Sequence, residues 1–214
     1  MQIDVFSDTV CPWCRIGKRH LELALAEWAA EAAEPVSLRY RSFFLDPTIP
    51  PEGADFRGHM TAKGGGRVPL EQFFAAPRQR GAAVDLTFNF EAIDKAPNTL
   101  LSHRLVYCAP EEQRGALLDA LYAAYFEFGR DIGDIDVLVD VAASMGLDAA
   151  TVRGQLAGDA GTAEVLADVE YAQQVGISGV PFFVFNGRYA LSGAQPVATI
   201  RRVLEEIGGR ESAD

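Results

Sequence analysis

The chain has 214 residues, 49% of them hydrophobic, and a formal net charge of −11 at pH 7. That length suits one large domain or a domain carrying an insertion, with enough apolar sequence for a substantial core. The charge argues against nucleic acid or an anionic membrane as a partner, since both would repel it. No stretch approaches the ~20 consecutive apolar residues of a membrane span.

In chain order, Met1 runs directly into an apolar strand at about residues 2–7, carried by Ile3, Val5 and Phe6. With no basic n-region, apolar h-region or cleavage site before it, a cytoplasmic location is expected. Ser7-Asp8-Thr9-Val10 makes the turn out of the strand, and Cys11-Pro12-Trp13-Cys14 opens a helix reaching about Ala33. Pro12 suits a first helical position, where a proline forfeits no helical hydrogen bond. Leu21, Leu25 and Trp28 share one face of that helix while Glu22 and Glu27 face water. Pro35 stops it, and Val36 to Phe43 alternates like a half-buried strand. Strand, helix, strand predicts a parallel pair.

Cys11 therefore lies at a helix N-terminus, where free N–H groups and the dipole favour a thiolate, the form that attacks disulfides. Cys14, one turn later, can close a ring with it. Half of a zinc site is an alternative, but structural zinc needs four ligands. The remaining cysteine is Cys108, and His20, His59 and His103 show no paired ligand spacing, so no metal site is assigned. Two packing cysteines are the third reading. In a reducing compartment the pair favours catalysis over a structural staple.

From Asp46 to Val68 the chain shows little apolar periodicity, with Pro47, Pro50 and Pro51 and then Gly64-Gly65-Gly66. It reads as a long loop, either a passive surface or the rim of a substrate groove, and as the first site of native proteolysis. Helical segments follow over Pro69–Arg80, Asn98–Cys108, Glu111–Phe128, Asp136–Met145, Ala149–Ala157 and Thr162–Val175, punctuated by glycines. Then Ile177-Ser178-Gly179-Val180-Pro181 enters an apolar strand that Asn186-Gly187 turns back into a second, so residues 182–191 read as a hairpin. Pro181 suits the first residue of such a strand, since it cannot donate to a ladder. A helix over about Gln195–Ile207 ends the fold.

The Gly-Val-Pro entry opposite a CxxC resembles the thioredoxin superfamily. The resemblance implies that Pro181 is cis and that the Val180 backbone pairs with an extended substrate beside Cys11. The fold class expected is α/β: a thioredoxin-like domain from residues 1–45 and 176–214, split between its βαβ and ββα halves by an all-helical insertion over 46–175. Three stretches narrow the likeness: Ser7 to Cys14, Asn98-Thr99-Leu100-Leu101-Ser102-His103-Arg104-Leu105, and Val175 to Val184 continuing through Leu191-Ser192-Gly193-Ala194-Gln195-Pro196. They resemble the DsbA family in its FrnE-like cytosolic branch, which is itself similar to the 2-hydroxychromene-2-carboxylate isomerases and kappa-class glutathione transferases. Those glutathione enzymes generally carry serine where this chain has Cys11, and a Gly-x-Asp-Arg segment where it has Gly193-Ala194-Gln195-Pro196.

The expected activity is dithiol–disulfide exchange through Cys11 and Cys14 with a protein or peptide partner. It needs no cofactor beyond the redox-active disulfide, with glutathione as an alternative co-substrate. A glutathione-dependent isomerase or transferase is the rival, and a non-enzymatic stress or metal-binding protein the third reading. Pro12 and Trp13 shape the surroundings of Cys11, Trp13 being exposed by family analogy. Asp8 either tunes the proton affinity of Cys11 or serves as a proton acceptor, or else is a solvated turn residue or helix cap. His103 either approaches the site or packs, and Asn98 either caps the next helix or contacts substrate. Cys108 is expected to be a buried small hydrophobe, and Phe43, Phe44, Phe182, Phe183 and Phe185 sheet core. The family allows a monomer or a homodimer.

Overall fold

The computed structural model describes residues 1–31, 35–66 and 69–211. Strand β1 (Gln2–Ser7) leads through the Cys11 turn into α1 (Pro12–Glu31), and β2 (Ser37–Ser42) returns parallel to β1. The expected end of the first helix at Ala33 lies outside the described residues. After the insertion, β5 (Phe182–Phe185) and β6 (Tyr189–Ser192) form the hairpin, and α9 (Val197–Glu211) closes the chain. The sheet order is β2-β1-β5-β6, with β5 antiparallel to both β1 and β6. Asn186 and Gly187 both take positive φ, 48° and 66°, the backbone that a tight hairpin turn requires.

Alternation sorts the two faces of the sheet. Ile3 and Val5, paired with Phe185 and Phe183, pack with Leu21 of α1 and with Ile200 and Leu204 of α9. Phe6 lies on the opposite face with Ala172, Ile177, Phe43 and Phe182. The predicted Leu21–Leu25–Trp28 stripe is the buried face of α1.

The insertion contains β3 (Ala54–Asp55), α2 (Phe56–Lys63), α3 (Leu70–Ala82), β4 (Lys95–Ala96), α4 (Leu100–Cys108), α5 (Arg114–Phe126), α6 (Ile135–Ser144), α7 (Ala149–Ala157) and α8 (Thr162–Gln174). Three expectations need correction here. The insertion is not wholly helical, because β3 and β4 pair antiparallel as a two-residue ladder. The segment over 46–68 is not a continuous loop either; of its end, 67–68 lie outside the described residues. Asp55 caps α2, its carboxylate accepting from the Gly58 amide at 2.6 Å, which starts a helix that a run without clear periodicity did not announce. The segment predicted as one helix over Glu111–Phe128 is a 3₁₀ turn at Glu111–Gln113 followed by α5, which stops at Phe126.

Buried Asp168 of α8 ties the insertion to the sheet. It accepts from Arg41 at 2.6 Å and the Ser42 amide at 2.9 Å on β2, and from the Tyr107 hydroxyl of α4. More telling for function, one apolar cluster joins Cys11, just before α1, and Cys14 and Ile16 of α1 to Leu105, Leu117, Leu121, Tyr122 and Phe126 of the insertion. The seam between the two regions passes through the dithiol. No described helix is long and apolar enough to cross a membrane.

Candidate active site

Cys11 occupies the position just before the first turn of α1. Its carbonyl accepts the first helical bond, from Arg15 N at 3.2 Å, and its Sγ accepts from the Cys14 amide at 3.1 Å. A side-chain acceptor bonded to the amide three residues on is the geometry of an N-cap, here built from sulfur. Such a bond strengthens when its acceptor carries charge. Both cysteines are thiols in this state, and both are buried; Cys11 exposes only 2% of its surface. Burial, chiefly, pushes the Cys14 thiol well above the usual cysteine range, and its hydrogen bond to Cys11 pushes the same way. The pair is thus asymmetric: Cys11 at the helix start, Cys14 held back as a protonated thiol.

The Val180–Pro181 peptide bond is cis, as the thioredoxin resemblance implies. The Val180 carbonyl lies 3.8 Å from Cys11 Sγ, where the thiol can donate to it. Gly193 N donates to the Pro181 carbonyl at 2.8 Å and fixes the other end of the strand entry. Gly17 sets how close that loop can come. A Cβ built there would lie 2.7 Å from Pro181 Cγ and 3.4 Å from Phe183 Cζ, so only a glycine lets the proline ring rest on α1. Gly17 went unremarked in the sequence, although an isolated glycine inside an otherwise good helix could have marked this contact.

Behind the turn, Asp8 and His103 meet. His103 Nε2 donates to Asp8 Oδ1 at 3.3 Å and the Leu45 amide to Oδ2 at 2.7 Å, with both side chains almost fully buried. Asp8 is therefore not a solvated turn residue; its carboxylate joins the turn to α4 and to the start of the 46–68 segment. The Phe44 ring lies 5.6 Å from the His103 ring, so this phenylalanine belongs to the site's surroundings and not to the sheet core expected of it. The Ser102 hydroxyl donates to the Thr99 carbonyl at 2.9 Å, which leaves Thr9 to donate to Ser102 at 2.7 Å. The Tyr122 hydroxyl donates to the Asp8 carbonyl at 3.3 Å, and burial above all raises its pKa far above the phenol range. The Thr9–Ser102 and Tyr122–Asp8 bonds were not foreseen from the sequence because their partners are 93 and 114 residues apart.

Asn98 is a brace. Its Oδ1 accepts from the Leu100 amide at 3.0 Å, and its Nδ2 donates to the Ile49 carbonyl at 2.7 Å, tying the segment after β2 to the start of α4. Trp13 is half-buried, not exposed, because the guanidinium of Arg80 on α3 lies over its ring at 5.7 Å. Cys108 is likewise half-buried instead of buried, and burial raises its pKa. Among the described residues no three His, Cys, Asp or Glu side chains converge as a metal-binding group.

Beside the dithiol opens a cavity of about 230 Å³, bounded by Asp8, Val10, Pro12 and Trp13 on one side and by residues of the insertion on the other. The segment over 46–68 supplies Asp46, Ile49, Phe56, His59, Met60 and Lys63 to it. The segment therefore lines a cavity and is not a purely passive surface.

The profile of the DSBA-like thioredoxin domain matches residues 2–205. The chain belongs to the DSBA-like thioredoxin family. The crystal structure of the probable DsbA oxidoreductase SCO1869 from Streptomyces coelicolor superposes with a TM-score of 0.85, at 37% identity over 98% of this chain and 90% of that one. YwbO, an uncharacterized protein of Bacillus subtilis (strain 168), is 26% identical over 159 residues, 73% of this chain and 72% of its own. The cytosolic disulfide reductase DsbM from Pseudomonas aeruginosa, solved with GSH, shares the fold, with a TM-score of 0.67 at 20% identity over 96% of this chain and 98% of that one.

Proposed function

We propose that this DSBA-like protein is a dithiol–disulfide oxidoreductase of the cytoplasm that exchanges its Cys11–Cys14 disulfide with the thiols of peptide segments. One observation carries the reading: Cys11 Sγ caps α1 through the Cys14 amide at 3.1 Å while facing the Val180 carbonyl at 3.8 Å. In the reducing direction the Cys11 thiolate attacks one sulfur of a substrate disulfide. A new S–S bond joins Cys11 to the substrate, the old S–S bond breaks, and the other substrate sulfur leaves as a thiolate. Cys14 then gives up its proton and attacks Cys11, so the enzyme is oxidised to its disulfide and the substrate leaves fully reduced. The opposite sequence oxidises a substrate dithiol.

Ionisation of Cys11 removes the hydrogen it directs at Val180, and the Val180 carbonyl becomes free to accept an N–H from an extended substrate. Buried Asp8, in the turn three residues before Cys11 and with His103 and the Leu45 amide holding its two oxygens, is the acceptor we assign to the Cys14 proton. Because Cys11 is only 2% exposed, its substrate is a protruding or unfolded segment and not a disulfide set in a flat folded surface. Glutathione, present in the DsbM structure, is the small thiol that would return the oxidised pair to the dithiol. Retention of both cysteines, where glutathione-dependent isomerases generally keep a serine, favours exchange over isomerisation.

The test is a trap. Cys14→Ser incubated with a disulfide-bonded peptide should accumulate an adduct whose mass and proteolytic fragments place the peptide on Cys11. The wild type should release the reduced peptide, and Cys11→Ser should do neither. Absence of an adduct on Cys11 would overturn the reading.

A further inference from the structure

We propose that the cavity beside Trp13 is a side-chain subsite that selects an aromatic residue next to the substrate cysteine; this rests on the exchange reading above. Size, position, lining and charge each point to such an occupant.

At about 230 Å³ the cavity falls below the roughly 300–1,000 Å³ of sites for whole drug-sized ligands. It exceeds the ~150 Å³ apolar cavity that accepts benzene. One ring with its methylene fits that interval. The position is equally restrictive. Pro12 and Trp13, the two residues between the cysteines, form part of its wall, so an occupant sits within a residue or two of a sulfur bonded to Cys11. A segment that lays its backbone on Val180 and its cysteine on Cys11 runs on over Pro12 and Trp13 toward the insertion.

The lining is aromatic. Phe74 stacks on Phe90 with centroids 4.3 Å apart, Phe56 stacks on Phe74 at 5.8 Å, and Phe126 meets Phe90 edge-on at 6.0 Å. All four rings reach the cavity, and a fifth would extend the series with the offset and edge contacts that aromatic pairs prefer. The mouth carries no excess charge to hold an acid or a base. Lys63 faces Asp46 at 3.7 Å and His59 faces Asp46 at 3.6 Å. Burial, then the Lys63 ammonium, holds His59 below the ordinary histidine value, so it is neutral at pH 7, while the Thr48 hydrogen bond, first among several causes, keeps Asp46 ionised. Asp8 on the inner wall further disfavours an anion. A neutral ring is the occupant these groups accept, and neither the γ-glutamyl nor the glycyl end of glutathione supplies one.

The experiment uses peptides carrying one cysteine as its mixed disulfide with thionitrobenzoate, with Phe or Ala at the neighbouring positions. Attack by Cys11 forms the Cys11–peptide disulfide and expels the coloured thionitrobenzoate thiolate, so release reports the rate. The Phe peptide should react at least about tenfold to a hundredfold faster, the range that even one methylene supplies in a hydrophobic pocket. Saturating toluene should lower the Phe rate toward the Ala rate, and Met60→Trp, which fills the cavity, should bring the ratio of the two rates toward one. Equal rates in the wild type, or a preference that survives both toluene and Met60→Trp, would overturn the subsite alone. Should Met60→Trp fail to fold, toluene with the wild type decides. No Cys11-dependent release from either peptide would overturn the exchange reading and the subsite with it.

Discussion

The two sides of the dithiol are built by different parts of the chain and by different chemistry. On the sheet side, Cys11 meets backbone: the Val180 carbonyl, presented at a strand entry that Gly17 allows to settle on α1. On the insertion side it meets side chains: the half-buried Trp13, the aromatic cavity, and the Asp8–His103 pair behind the turn. Backbone contacts accept any sequence, whereas a shaped cavity discriminates by volume and polarity. On the proposed reading, the sheet side would serve exchange with any sequence and the insertion side the choice of substrate.

That comparison can be broken at several points. The largest effect belongs to the nucleophile: Cys11→Ser should reduce exchange by on the order of 10³-fold or more, because two residues acting as a unit leave little behind when one is removed. Stopped-flow reduction of a disulfide peptide measures it. Next is the buried pair. His103→Ala removes one hydrogen-bond donor from the buried Asp8 carboxylate and should lower unfolding stability by about 1–3 kcal/mol in urea titrations, the usual cost of leaving a buried acceptor without its partner. Asp8→Asn in the same background should restore part of the loss. A change under 1 kcal/mol for His103→Ala would mean that the insertion does not support the turn as described.

On the sheet side, Gly17→Ala drives a methyl into the Pro181 ring and should cost about 1–3 kcal/mol, as overpacking typically does. It should also slow exchange by moving Val180 from Cys11, without altering the Phe-to-Ala peptide ratio. The smallest effect concerns pH. A thiol whose folded pKa lies above its unfolded value contributes stability fully present below the unfolded value, about 8.5, and lost as pH rises from there through the folded value. Cys14 is such a group. The stability of the reduced wild type should therefore fall more steeply than that of Cys14→Ser above about pH 8.5, and the two slopes should agree below it. Buried Tyr122, raised in the same sense, contributes the alkaline loss that both proteins share.

The local parts of this site were legible and the non-local parts were not. Pro12 at a helix start and Pro181 at a strand start announce themselves through the hydrogen bonds a proline cannot make, and the Asn186-Gly187 turn through its positive φ. The stripe of Leu21, Leu25 and Trp28 follows from helical spacing. By contrast, the choice between a buried and a solvated Asp8 depends on His103, 95 residues away, and on the Leu45 amide. α2 was missed because it is only eight residues long and sets just Phe56 and Met60 against the core, too few apolar positions to make a stripe. Trp13 is covered by Arg80, from a helix whose placement over the site no local pattern encodes.

The measurement that tests the central claim most directly is a redox titration of the pure protein in glutathione buffers, followed by Trp13 fluorescence and checked by thiol alkylation. A single two-electron transition, absent in Cys14→Ser, is the result expected of a Cys11–Cys14 redox pair. Two thiols that stay reduced and open to alkylation across the whole range of buffers would contradict it.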